Sequence, residues 1–148
     1  MKSLKCALAV VAMCSAGAVQ AQQKPEDIIK YRQSALFLLG QHFGPIAAMA
    51  QGKMPYDKNA AASHAALAET LASLPWDRFA PGTDKGNTKA KPEVWTNQAD
   101  FKAKADKMQE EVAKLAQVAK TGDFDALKAQ VGATGKSCKA CHDEYRNK

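Results

Sequence analysis

Four stretches of this 148-residue chain repeat apolar residues at helical spacing, and none alternates apolar and polar residues in the manner of a strand. At 100° per residue, Ile28, Ala35, Leu36, Leu39, Phe43, Ile46 and Ala47 fall in one stripe about 100° wide. The spacing predicts a first helix from Pro25, which suits a first helical position, to Gln51. Gly44 and Pro45 predict a kink or an early end, because Pro45 has no N–H to donate to Gln41. A second helix is expected from about Asp57 to Leu74, with Ala60, Leu67, Leu71 and Leu74 on its apolar side and Pro75 as the stop. A third runs from Gln98 to Lys120 through Phe101, Ala105, Met108, Val112, Leu115 and Ala119. Thr121-Gly122-Asp123 makes a turn with Asp123 as N-cap, and a fourth helix carries Phe124, Leu127, Val131, Cys138, His142 and Tyr145 within about 60° of arc. The expected fold is an all-α antiparallel four-helix bundle. The one long loop, residues 75–96, holds Trp76, Phe79 and Trp95, so it is expected to pack on something.

The chain opens with Lys2 and Lys5, an apolar run from Cys6 to Val19, and the small-residue end Val19-Gln20-Ala21. This is the pattern of an export signal cleaved after Ala21, which leaves residues 22–148 as one domain. The run is shorter than the ~20 residues a membrane span needs, and no later segment is long and apolar enough to span. Cleavage removes Cys6 and Cys14, so only Cys138 and Cys141 remain and a disulfide framework is excluded. The formal charge falls from +6 to +4 as two lysines leave. Basic residues are scattered without interleaved aromatics, which argues against a nucleic-acid partner.

Cys138-Lys139-Ala140-Cys141-His142 is the signature of c-type haem attachment: two thiols add across the haem vinyl groups and the adjacent histidine ligates iron. On a helix the two cysteines lie about 4.5 Å apart along the axis, and His142 lies about 40° from Cys138. Other readings fit less well. A redox dithiol sits after a strand at a helix start, whereas this pair sits late in a helix. Zinc needs a fourth ligand, for which only His42 and His64 remain. A disulfide within one turn would constrain little. Gly135 projects to the side of Cys138, which either admits a flat ligand or is ordinary helix looseness.

Arg32 is a misfit within the first helix's apolar stripe. A buried charge needs a partner, so Arg32 either meets an anion, for which a haem propionate is the candidate, or snorkels to water. Gln33 adjoins it and could donate to the same group. A second iron ligand would have to come from Met49 or Met54, at or beyond the first helix's end, from Met108 within the third stripe, or from His42 and His64, which project toward apolar stripes. A histidine at a stripe's edge is more often a core residue than a ligand, so five-coordinate iron with an apolar, crowded distal side is expected.

Lys24-Pro25-Glu26-Asp27, Tyr31-Arg32-Gln33-Ser34-Ala35-Leu36, His42-Phe43-Gly44, Leu74-Pro75-Trp76 and Ser137 to Arg146 together resemble the cytochrome c′ family, the high-spin class II c-type cytochromes. The resemblance spans essentially the whole chain after residue 21. It implies a periplasmic bundle, often a homodimer, with one covalent haem c per chain and His142 as the only protein ligand of iron. It further implies that Leu36 covers the open face, that Arg32 and Gln33 contact the haem, and that Arg146 lies beside His142. Asn87 stands where the family often has an acidic haem contact, and the loop at Lys89 to Lys91 looks slightly longer. The implied function is one-electron transfer to an unidentified redox partner and binding of carbon monoxide and nitric oxide. The alternative is a low-spin carrier with a sixth protein ligand. An enzyme is not expected, because a peroxidase needs distal acid–base groups and none is clearly placed near Leu36. Phe37 and Leu38 project outside the stripe that faces the bundle, so the first helix has more apolar surface than one core covers, which fits the expected dimer.

Overall fold

In a computed structural model, which describes residues 23–148, the first helix, α1, spans Pro25–Ala50. The expected signal segment, residues 1–21, lies outside the described residues. Pro25 opens α1, with Glu26 and Asp27 in the positive first turn. The helix does not end at Pro45. Ile46 and Met49, in the turn beyond it, are buried in the core, and their burial offsets the one backbone hydrogen bond that proline removes.

The second helix, α2, spans Lys58–Ala72 and starts on Asp57, whose Oδ1 accepts from the Asn59 and Ala60 amides. Its inward face differs from the expected leucine stripe. Ala61, Ala65, Ala68 and Ala72 are buried, whereas Leu67 and Leu74 are exposed and Leu71 is half-buried. The alanines recur at intervals of three and four, so they form a continuous stripe of their own, and small side chains let neighbouring helices approach closely.

Past a short helix α3 (Glu93–Thr96), α4 runs Gln98–Thr121 and α5 Phe124–Tyr145. Between them Gly122 takes a left-handed φ of 82°, and a Cβ there would come within 2.7 Å of the Lys58 side chain. Asp123 caps α5 by accepting from the Ala126 amide, as the turn sequence predicts.

The four long helices close a ring in the order α1, α2, α4, α5, with the seam from α5 back to α1 the least tightly packed. Along the bundle the core changes character. One end is aliphatic, built from Ile46, Met49, Ala65, Leu115 and Leu127. A middle layer of Leu39, Ala68, Met108 and Val112 carries Leu36, Trp76 and Cys138 at its edge. The other end is aromatic, built on Phe101, Tyr145, Trp76, Phe79 and Trp95.

The inward alanine face of α2 sets up a paired test. Ala65→Leu should cost about 1–3 kcal/mol by overpacking, while Ala66→Leu on the exposed side should stay within about 0.5 kcal/mol. Urea denaturation of the two variants checks this.

Candidate functional site

A cavity of about 330 Å³ opens at the aromatic end, along the loose seam between α1 and α5. Arg32, Gln33, Leu36 and Phe37 line it from α1, and Cys141, His142, Tyr145 and Arg146 line it from the end of α5. Trp76, Phe79, Val94 and Phe101 supply an apolar floor. The rings interlock: Phe79 meets Phe101 at 4.9 Å and Phe101 meets Tyr145 at 5.2 Å, both edge to face. The indole donors are satisfied within the fold, Trp76 by the Ala72 carbonyl and Trp95 by that of Ala80.

Arg32 explains why the long loop is ordered around this end. Its side chain is only 2% exposed, so it does not snorkel. One terminal nitrogen donates to the Arg78 carbonyl (3.1 Å) and Thr83 Oγ1 (2.7 Å), the other to the Thr83 carbonyl (2.8 Å) and Thr88 Oγ1 (3.0 Å). The guanidinium also lies over the rings of Phe79 and Trp95. Within the protein, neutral loop oxygens take up its four terminal N–H bonds, partners that the sequence reading missed because Thr83 and Thr88 lie more than fifty positions away. Burial holds the Arg32 pKa below its ordinary value.

Next to it, Gln33 Nε2 donates to the Asn87 carbonyl at 2.8 Å. Asn87 serves through its backbone and does not line the cavity; Thr88, Lys89 and Ala90 do. That strand of loop is stitched to the chain's end, since the Lys91 amide donates to the Tyr145 carbonyl and the Asn147 amide to that of Lys89. The pairing also fixes Arg146 at the cavity's edge.

On α5 the two thiols are free and half-buried, and burial pushes both above the ordinary thiol range. Cys141 faces the cavity. Cys138, one turn earlier, packs against the middle layer alongside Leu36 and Trp76. His142 lines the cavity with part of its ring open to solvent. Crowding by protein and the positive charge of Arg146 hold its pKa below the imidazole norm, which favours the neutral form that can ligate a metal. Tyr145, buried and donating to Asp100, has its phenol pushed up to about 12.

Arg32, Lys89 and Arg146 bring three cations to the lining, and no carboxylate belongs to it. An apolar slot lined by the Cys141 thiol, an imidazole that favours its neutral form and three cations suits a flat apolar group with an anionic edge, which fits the chemistry of haem and its propionates. Gly135 faces no side chain within 4 Å of where its Cβ would be, so packing within the protein does not require glycine there. None of His42, His64, Met49, Met54 or Met108 lines the cavity.

Comparison with known proteins adds to this geometry. The sequence model of the family described as Cytochrome C' matches residues 27–146. The crystal structure of cytochrome c′ from Rubrivivax gelatinosus is similar at 56% identity with a TM-score of 0.82, covering 84% of this chain and 98% of that one. A nitric oxide complex of a leucine-to-alanine mutant of cytochrome c′ from Alcaligenes xylosoxidans is similar at 45% identity and a TM-score of 0.80, covering 86% and 98%. A carbon monoxide-bound leucine-to-glycine variant from the same organism is similar at 46% identity and a TM-score of 0.79, covering 84% and 98%.

The role of Arg32 in holding the loop predicts that Arg32→Leu loses about 3 kcal/mol, because its acceptors in the loop lose their donor. Arg32→Lys should recover little, since an ammonium cannot reproduce the planar fork. Thermal denaturation gives the loss, and faster amide hydrogen exchange across residues 78–90 should accompany it.

Proposed function

The chain belongs to the cytochrome c′ family, whose members carry one covalently bound c-type haem, and from that premise we propose that it is an exported gas-binding and electron-transfer protein. Cys138 and Cys141 would hold the haem through thioether links and His142 would ligate the iron, a reading supported by the attachment motif and by Cys141 and His142 lining one cavity with Leu36. When bound, the haem supplies one-electron Fe(III)/Fe(II) chemistry and a coordination position for carbon monoxide or nitric oxide. The solved structures of nitric oxide and carbon monoxide complexes of relatives support that ligand class.

The observation that carries the five-coordinate, high-spin reading is the composition of the cavity wall. Leu36 cannot ligate, and the histidines and methionines that a sixth-ligand carrier would need lie elsewhere. Leu36 is half-buried against Leu39, Met108 and neighbouring apolar groups, so an incoming molecule must displace a packed side chain. That excludes bulky ligands and slows small ones. Arg32, already bound to the loop, presents its positive charge to the cavity without being free to swing out; with Gln33, Lys89 and Arg146 it would meet the anionic edge of the haem. An enzyme is not proposed: a peroxidase would need distal acid–base groups, and Leu36 on the cavity wall supplies none.

Residues 1–21 would direct export to the periplasm, leaving 22–148 as the working domain. Among the described residues no helix is long and apolar enough to cross a membrane. Phe37 is 63% exposed at the cavity's edge and Leu38 44% exposed on the same turn of α1. Burying this surface against a second α1 supports a homodimer.

Two measurements test the reading. The optical spectrum of the reduced protein should be high-spin and should change on adding carbon monoxide, with faster association in Leu36→Ala; that variant should cost about 2 kcal/mol, the low end for such truncations, as Leu36 is only half-buried. A low-spin reduced spectrum indifferent to carbon monoxide would overturn it in favour of a closed electron carrier. Sedimentation at micromolar concentration should show a dimer that Phe37→Ser together with Leu38→Ser converts to monomer.

A further inference from the structure

His42 of α1 and His64 of α2 take no part in the cavity. Both are half-buried, and their Nδ1 atoms approach to 3.0 Å with ring centroids 5.3 Å apart. A neutral imidazole has a proton on one nitrogen and a lone pair on the other, so two facing Nδ1 atoms either share a single hydrogen bond or present two lone pairs to a cation. With metal–nitrogen bonds of about 2.0 Å, imidazole nitrogens stand about 2.8 Å apart at a right angle and about 3.3 Å apart at the tetrahedral angle. The observed 3.0 Å lies between these limits.

We propose that His42 and His64 form a two-imidazole site for a divalent transition metal, copper(II) by preference. The preference follows from imidazole ligation and from the stability order of the first-row divalent ions. The backbone already holds the ligands in place. Ile46, one turn after His42, and Ala61, Ala65 and Ala68, flanking His64, are all buried, so neither helix needs to move. Among the described residues no third His, Cys, Asp or Glu joins the pair, and its half-exposure admits water to the remaining coordination positions. The ring that donates its Nδ1 proton would move it to Nε2 through solvent, so binding to two neutral rings releases no net proton. The metal would tie α1 to α2 about 9 Å along α1 from Leu36, six positions away.

The experiment adds copper(II) chloride to the haem-loaded protein, with calorimetry for stoichiometry and paramagnetic resonance for the ligands. The sequence has three histidines, and with His142 on the haem a copper signal carrying two imidazole nitrogens points to His42 and His64. We expect one copper per chain, two imidazole nitrogens, and binding weakened roughly tenfold or more in His42→Gln and in His64→Gln. Copper should raise the thermal midpoint of the unmutated protein and not that of either variant. A copper signal with one imidazole nitrogen or none, or no saturable binding, would overturn the proposal. So would unchanged affinity in folded variants. Should a variant misfold, the resonance spectrum of the unmutated protein decides the matter alone.

Discussion

The site depends on one buried cation. Arg32 spends all four N–H bonds of its two terminal nitrogens on oxygens of a loop that has little regular structure of its own. A guanidinium is suited to this because it is planar, always charged and rich in donors, and because it stacks on the aromatic faces of Phe79 and Trp95. Desolvating a charge is costly, and the hydrogen bonds and ring contacts compensate only while the loop stays closed over it. The loop is held against α1 by that coupling, and with it the aromatic floor of the cavity.

The bundle supplies the space. Three of its four seams close tightly, helped by the alanine face of α2, while the fourth, between α5 and α1, is looser and is where the cavity lies. Its lower boundary is set by the pairing of residues 89–91 with the end of α5, which fixes where Tyr145 and Arg146 can point. Electrostatics then select what enters. Three cations without a carboxylate line an otherwise apolar slot, so an apolar group with a negative edge suits it better than a neutral or cationic one.

Helix starts were legible because they are local: Pro25, Asp57 and Asp123 act on groups within a few residues, and Gly122 adopts the left-handed turn its position suggests. The break expected at Pro45 was not, because burial beyond it carries α1 on. The face of α4 was legible too, since Phe101, Ala105, Met108, Val112, Leu115 and Ala119 are all buried. The face of α2 was not. It has two stripes of plausible spacing, one of leucines and one of alanines, and hydrophobicity favours the larger side chains, whereas close approach to α1 and α4 favours the smaller.

By itself the sequence determined where a haem attachment motif lies, because two thiols and a histidine within five residues of one helix need only helical geometry to share a neighbourhood. It also marked Arg32 as needing compensation, since a charge in an apolar stripe is anomalous whatever surrounds it. Only the tertiary structure decided that the compensation comes from Arg78, Thr83 and Thr88, that Asn87 contributes a carbonyl to Gln33, and that His42 faces His64. Each of these depends on the distance between elements far apart in the chain, which is set by the packing of whole helices and by no residue's local preference.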